Sequence, residues 1–186
     1  FQGLIFDCDG VLVNSEEIVQ SIEIELLGEL GLHYERDAFA RRFLGVANDH
    51  FYAELNSDSM QHRGEPLPQS FTDNLHQRAR QAFEQELRAF AGIADVVTSC
   101  VGKIAVASSS TINGLEFKLS HTGIKAHFAP HIFSAEHVNA GKPAPDVYLH
   151  AAAKIGARPE QCVVVEDSVN GVLAGIAAEM KVIGYG

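Results

Sequence analysis

Positive charge is what this chain has least of. It sets 14 lysines and arginines against 24 aspartates and glutamates, a formal net charge of −10 at pH 7. A nucleic-acid partner needs clustered Lys and Arg against its phosphates, so that class is excluded. Any site for a small anion must be positive locally, because the field of the whole molecule repels anions. Long apolar runs are also missing: no stretch approaches the roughly 20 residues that cross a bilayer, and no signal-peptide pattern opens the chain. Neither a membrane nor export is therefore expected. Cysteine is sparse, and Cys8, Cys100 and Cys162 form an odd set without metal-ligand spacing. That pattern suits a reducing, cytoplasmic compartment with all three buried as structural residues. His127 and His131 are four apart, but Pro130 between them spoils a helical ligand pair, so zinc is not expected. No Walker-type or dinucleotide-binding glycine loop, internal repeat or low-complexity tract is present.

What is present is a core-forming composition and four polar stretches. With 186 residues and 46% hydrophobic content, the chain fits one domain, or one domain carrying a sizeable insertion. It opens on Phe1 rather than methionine, so further residues are expected before it.

The organising stretch is Phe6-Asp7-Cys8-Asp9-Gly10-Val11-Leu12. Leu4, Ile5 and Phe6 read as a buried strand, and two carboxylates follow with a glycine that can turn sharply. Strand alternation places Asp7 and Asp9 on one side and Cys8 on the other. Two like charges at a strand end repel unless a cation or a shared proton offsets them. Three later stretches fit that need. Ile104–Ala107 is an apolar run ending in Ser108-Ser109-Ser110; Lys142 is held between Gly141 and two prolines; Cys162–Val165 ends in Glu166-Asp167. In a parallel sheet the strand carboxyl ends share one edge, where ligands usually sit. Acids, hydroxyls and one ammonium then converge.

In chain order, Ser15 is expected as a helix N-cap ahead of Glu16 and Glu17, with Ile18, Ile22, Leu26 and Leu30 on one face and Gly31 closing the helix. Residues 35–44 and 48–56 read as short helices, Ser57–Gln69 as a loop, and Ser70 to about Arg88 as a long helix. No strand signal interrupts residues 15–88, which marks a helical insertion. Helix 93–99, strand 103–107, a helix around 111–121, strand 131–133, a helix from Pro145 to Ile155, strand 162–165, helix 168–179 and strand 181–185 then alternate. Strict alternation means a parallel sheet covered on both faces. The expected class is α/β: a Rossmann-like, doubly wound, parallel five-stranded sheet in residues 1–13 and 89–186, with an inserted α-helical cap in 14–88.

The four polar stretches, in this order and at this spacing, resemble the four motifs of the haloacid dehalogenase superfamily. The likeness to its subfamily of sugar-phosphate phosphatases and β-phosphoglucomutase covers nearly the whole chain. It implies phosphoryl transfer, with Asp7 as nucleophile through an aspartyl-phosphate intermediate and Asp9 as general acid, then base. Two carboxylates facing a phosphate dianion require Mg2+. The resemblance places it on the Asp7 carboxylate, the Asp9 backbone carbonyl and Asp167, with Glu166 a ligand or one step removed. Lys142 would pair with Asp7 and a phosphoryl oxygen, and Ser108 would bind another oxygen, with Ser109 beside it. Ser110 and Thr111 read as helix caps. Asn170 either reaches substrate or folds its own turn; Gly45 either presents a backbone turn to the site or ends a helix. Gly171 and Gly175 read as allowing close helix packing. Hinges are expected near Val13-Asn14-Ser15 and Phe90-Gly92, where relatives often carry Asp for Asn14 and Pro for Ala91. Arg41, Arg42, Arg78 and Arg80 are candidate anion contacts or solvated charges.

The mutase has a histidine and an arginine in its cap where this chain has Val19 and Asn48, which favours hydrolysis of a small sugar or sugar-acid phosphate over a β-phosphoglucomutase-like reaction. Dehalogenases lack the second aspartate. A non-enzymatic phosphate-binding module is the minor alternative, one that loss of Asp9 or Lys142 would have supported; both are present. The expected state is a monomer.

Overall fold

A computed structural model describes residues 1–43, 46 and 48–185, the side chains of Asn48 and Asp49 apart. The chain divides into two compact units, Phe1–Ser15 with Leu87–Gly186, and Glu16–Glu86.

The first unit is built on five strands: β1 (Gly3–Phe6), β2 (Lys103–Ser108), β3 (Ile132–Ser134), β4 (Cys162–Glu166) and β5 (Lys181–Gly184). They pair in the order β3-β2-β1-β4-β5, every pair parallel. β1 is central, and the chain winds outward from it in both directions, so the polar ends of β1, β2 and β4 share the edge where a doubly wound sheet binds its ligands. Register sets the faces. Ile5 lies opposite Ala105 and Val164, and these join Ala107, Val147, Tyr148, Ala151, Ile155 and Ala174 in one core cluster. That face is covered by α8 (Asp146–Ile155) and α9 (Val169–Ala177). On the opposite face, Phe6 meets the edge of Phe128 at 5.9 Å between ring centroids. Phe128 ends the four-residue helix α7 (Lys125–Phe128), which lies beside α6 (Ile112–His121). Gly175 lets α9 sit close on the sheet: a Cβ there would come within 2.6 Å of Val182. α5 (Ile93–Ser99) completes the unit.

Ahead of the helical unit the chain is tied to its own return. Asn14 Oδ1 accepts the Arg88 amide at 2.8 Å, and the Asn14 amide donates to the Arg88 carbonyl at 3.2 Å. Val13 forms a bridge with Ala89.

The helical unit comprises the body of α1 (Ser15–Glu29), with α2 (Arg36–Phe43), α3 (Asn48–Arg63) and α4 (Phe71–Glu86). Its centre is aromatic. Phe39 packs on Phe43 at 4.7 Å and edge-on to Phe51 at 6.1 Å and Tyr34 at 5.3 Å. Such pairs add to what area burial alone supplies. Among the described residues, no helix is long and apolar enough to cross a membrane.

Among the described residues, local readings differ from the structure at several points. α3 runs on to Arg63, through residues read as loop. Polar side chains of α3 satisfy the turn that follows: Ser59 Oγ donates to the Glu65 carbonyl at 2.7 Å, and Asn56 Oδ1 accepts the Leu67 amide at 2.9 Å. Ser15 opens α1, and its hydroxyl donates to Asp9. Cys100 is half-buried, whereas Cys8 and Cys162 are buried. α7 is too short to leave a periodic signal.

Candidate active site

β1 stops at Phe6 because the two acids and Gly10 that follow turn the chain back on itself. Gly10 takes φ 76°, a left-handed conformation that a side chain resists. The Leu12 and Val13 amides both close on the Cys8 carbonyl, at 2.9 and 3.1 Å. The Asp7 amide stays in the sheet, donating to the Val165 carbonyl at 3.0 Å. Asp7 is thereby fixed above β1, beside the end of β4.

Around Asp7 the charges alternate. Lys142 Nζ donates to Asp7 Oδ1 at 2.5 Å and to Glu166 Oε1 at 2.7 Å. Glu166 Oε1 also accepts the Tyr148 hydroxyl at 3.1 Å, and Oε2 accepts the Ser168 amide at 2.7 Å and hydroxyl at 2.9 Å. The ammonium stands 4.8 Å from the centre of the Tyr148 ring. Only 4% of the Lys142 side chain and 1% of that of Glu166 are exposed, so the pair is desolvated and depends on these contacts.

Burial sets the ionisation of Asp7. It pushes the carboxyl up to about 7, with Lys142 opposing and the charges of Glu166 and Asp9 adding to the rise. Lys142, despite its burial, is held charged by Asp7 and Glu166. Glu166 is buried too, yet Lys142 and Ser168 keep its pKa below the usual range.

Asp7, Glu166 and Asp167 each bring a carboxylate oxygen within 4.8 Å of the others. It is the one group of three or more metal-ligating side chains found among the described residues. Three hard oxygen donors beside the Lys142 ammonium fit a divalent cation of the Mg2+ kind.

Asp9 stands outside this group, and its carboxylate is turned toward hydroxyls and a second lysine. Oδ1 accepts Ser15 Oγ and Lys118 Nζ; Oδ2 accepts Ser110 Oγ at 2.8 Å and, at the longer 3.4 Å, Ser108 Oγ. Burial would raise the pKa of this acid, but Lys118 and the hydroxyls outweigh it and bring it below the ordinary value. The two aspartates are thus pushed in opposite directions, a pattern found where two carboxyls divide acid–base work.

The structure therefore brings Asp7, Lys142, Glu166 and Asp167 together, and links Asp9 with Ser108. Ser108 is buried at the end of β2, where its Oγ also accepts the Ser110 amide at 3.0 Å. Ser109 next to it is exposed. Asn170 lies half-buried on the first turn of α9, and Ser168 performs the capping there by accepting the Gly171 amide at 3.0 Å. Thr111 caps α6 as expected, taking the Gly114 amide at 3.2 Å. Ser110 does not cap; it belongs to the Asp9 cluster. Gly45 lies outside the described residues. Arg42 pairs with Glu54 and Asp58, and Arg78 with Glu25 and Glu29, which accounts for both in the helical unit. Lys118 escaped the reading of the sequence. The signal was there, a lysine adjacent to Leu119 on the inward stripe of a helix.

Known proteins resemble this chain in sequence and fold. A family model for haloacid dehalogenase-like hydrolases matches residues 1–179. Hexitol phosphatase B of Escherichia coli (strain K12) is 32% identical over 182 residues, covering 96% of this chain and 81% of that protein. The 6-phosphogluconate phosphatase of the same organism is 28% identical over 182 residues, covering 97% of this chain and 80% of that one. The crystal structure of a conserved haloacid dehalogenase-like protein from Agrobacterium tumefaciens superimposes with a TM-score of 0.90 at 35% identity, covering 99% of this chain and 82% of that chain. With the motifs, the sheet order and the matched length in agreement, this chain belongs to the haloacid dehalogenase-like hydrolase family.

Proposed function

We propose that the chain is a Mg2+-dependent phosphatase that hydrolyses a small sugar or sugar-acid phosphate through an aspartyl-phosphate at Asp7. The observation that carries this reading is the Asp7 carboxylate held between the Lys142 ammonium and the Glu166–Asp167 pair. Asp7 would attack phosphorus as its bond to the leaving oxygen breaks, and Asp9 would give that oxygen its proton. Water then attacks the phosphorus, Asp9 takes the water's proton, and the Asp7 oxygen is released with inorganic phosphate. Asp9 starts ionised in the free protein. The charge of an arriving phosphate dianion favours its taking up a proton.

Lys142 neutralises a phosphoryl oxygen while orienting Asp7, and Glu166 holds that ammonium in place. Ser108 is the hydroxyl donor to a second phosphoryl oxygen, with Ser109 beside it. Asp7, Asp167 and the Asp9 carbonyl would hold Mg2+, with Glu166 close by. Bound there, Mg2+ supplies positive charge to the phosphoryl group and offsets its repulsion by the carboxylates. Substrate choice is assigned to the cap, residues 14–88, with Gly45 and Asn170 as further candidate contacts. The curated relatives that match nearly the whole chain include enzymes named for hexitol and 6-phosphogluconate, which supports a polyhydroxylated substrate. A monomer working in the cytoplasm completes the reading.

The test is Mg2+-dependent phosphate release from p-nitrophenyl phosphate and from a panel of sugar and sugar-acid phosphates. Activity should vanish in Asp7→Asn. Absence of release from every ester would refute the phosphatase. Conversion of β-glucose 1-phosphate to the 6-phosphate without free phosphate would identify a mutase instead.

A further inference from the structure

A second ammonium, that of Lys118, stands beside Asp9 at this site. On α6, Leu115, Lys118 and Leu119 are all buried, at the spacing that puts them on one inward face. Only 10% of the Lys118 side chain is exposed, and 22% of that of its partner Asp9. A lysine in an apolar stripe is costly to desolvate, and a buried ion pair seldom outperforms apolar packing of the same volume. Stability is therefore a poor account of its presence.

Geometry is a better one. Lys118 Nζ donates to Asp9 Oδ1 and also to Ser110 Oγ at 2.9 Å, while Ser110 Oγ donates to Asp9 Oδ2 at 2.8 Å. The three groups close a ring that engages both carboxylate oxygens. Ser134 fixes the same segment from β3, its hydroxyl donating to the Ser110 carbonyl at 2.6 Å. A carboxylate on a loop would otherwise turn about its side-chain torsions. Held by donors on both oxygens, it keeps one orientation. A proton carrier depends on that direction, since misplacement by about 1 Å can cost on the order of 100-fold in rate.

We propose that Lys118 is a positioning residue for proton transfer: through Asp9 and Ser110 it holds the Asp9 carboxyl in the orientation that serves the leaving oxygen. The inference rests on the phosphatase reading and adds α6 to the machinery. It carries a specific consequence. A good leaving group departs without a proton, so loss of Lys118 should harm only esters whose leaving group needs one.

The experiment compares p-nitrophenyl phosphate, which releases a stabilised phenolate, with benzyl phosphate, which releases an alkoxide. For each, kcat/KM reports the steps up to transfer onto Asp7. Lys118→Met should lower kcat/KM for benzyl phosphate at least tenfold more than for p-nitrophenyl phosphate. Lys118→Arg, which keeps a cation, should restore part of that difference. Because the quantity read is a ratio within one preparation, a partly folded variant lowers both values alike and leaves the ratio intact. Should Lys118→Met fail to fold, Lys118→Gln is read by the same ratio. An equal fall for the two esters would make Lys118 a phosphate-binding or merely structural group, and overturns the proposal; so does no fall in either. A wild-type protein inactive on both esters would instead sink the phosphatase reading itself.

Discussion

Gly171 on α9 and Glu166 at the end of β4 are in contact so close that a methyl group on residue 171 would overlap the carboxylate. The glycine is there for the carboxylate, not for a turn. Gly171→Ala must displace Glu166 from Lys142, Tyr148 and Ser168 together. We expect phosphate release to fall at least tenfold, with a stability loss of about 1–3 kcal/mol from overpacking. Gly175→Ala is the control, because its Cβ would press on Val182 instead. It should lower the denaturation midpoint while sparing kcat. Urea titrations with steady-state assays on both variants check this.

The high pKa of Asp7 makes a statement about stability. A group whose pKa is raised by folding stabilises the protein fully below its unfolded value and loses that contribution as pH rises through the folded one. For Asp7 the window runs from an ordinary 3.8 to about 7. Across it the metal-free wild type should lose ground relative to Asp7→Asn, by an amount on the order of 4 kcal/mol if the whole rise is realised. Melting curves of both proteins in EDTA from pH 4 to pH 8 test the sign. Parallel curves would contradict it.

Cation binding should reverse that loss. Mg2+ bound to the folded state raises stability by about 2.7 kcal/mol at a concentration of 100 times its Kd. The melting temperature of the wild type should therefore rise with Mg2+, and more steeply above pH 7, where Asp7 is ionised. Asp167→Asn should shift far less. Differential scanning calorimetry reads this without substrate. An equal rise in wild type and Asp167→Asn would count against the assigned ligands.

In the helical unit, Phe39 is 1% exposed and shared by three aromatic neighbours. Phe39→Ala should cost about 3–5 kcal/mol, the usual range for emptying such a site. Near-UV circular dichroism and hydrogen exchange in residues 16–86 should report the loosening. An unchanged exchange pattern there would show that the unit draws its order from elsewhere.

Much of the site was legible because its residues obey local rules. Asp7, Ser108 and Glu166 each end or follow an apolar strand run, and Lys142 sits in a proline-bounded loop, so short-range pattern was enough to pick them out. The sheet was legible for the same reason, since alternating strand and helix periods admit few topologies. Ser110 misled, because a hydroxyl near a helix start caps by default unless an acid stands opposite, and no local signal reveals the acid. Lys118 was missed on similar grounds. Its partner Asp9 is more than a hundred residues away in the chain, and only folding brings them together.

The order of residues by itself determined the family, the parallel sheet and the set of groups that could act, because periodicity, turn chemistry and motif spacing are properties of neighbours along the chain. The tertiary structure decided which acid faces which cation: Asp7 toward Lys142 and Glu166, Asp9 toward Lys118 and Ser110. Two aspartates separated by one cysteine are chemically alike as text. Burial and the distance to an ammonium make them different, and those exist only once strands from opposite ends of the chain lie side by side.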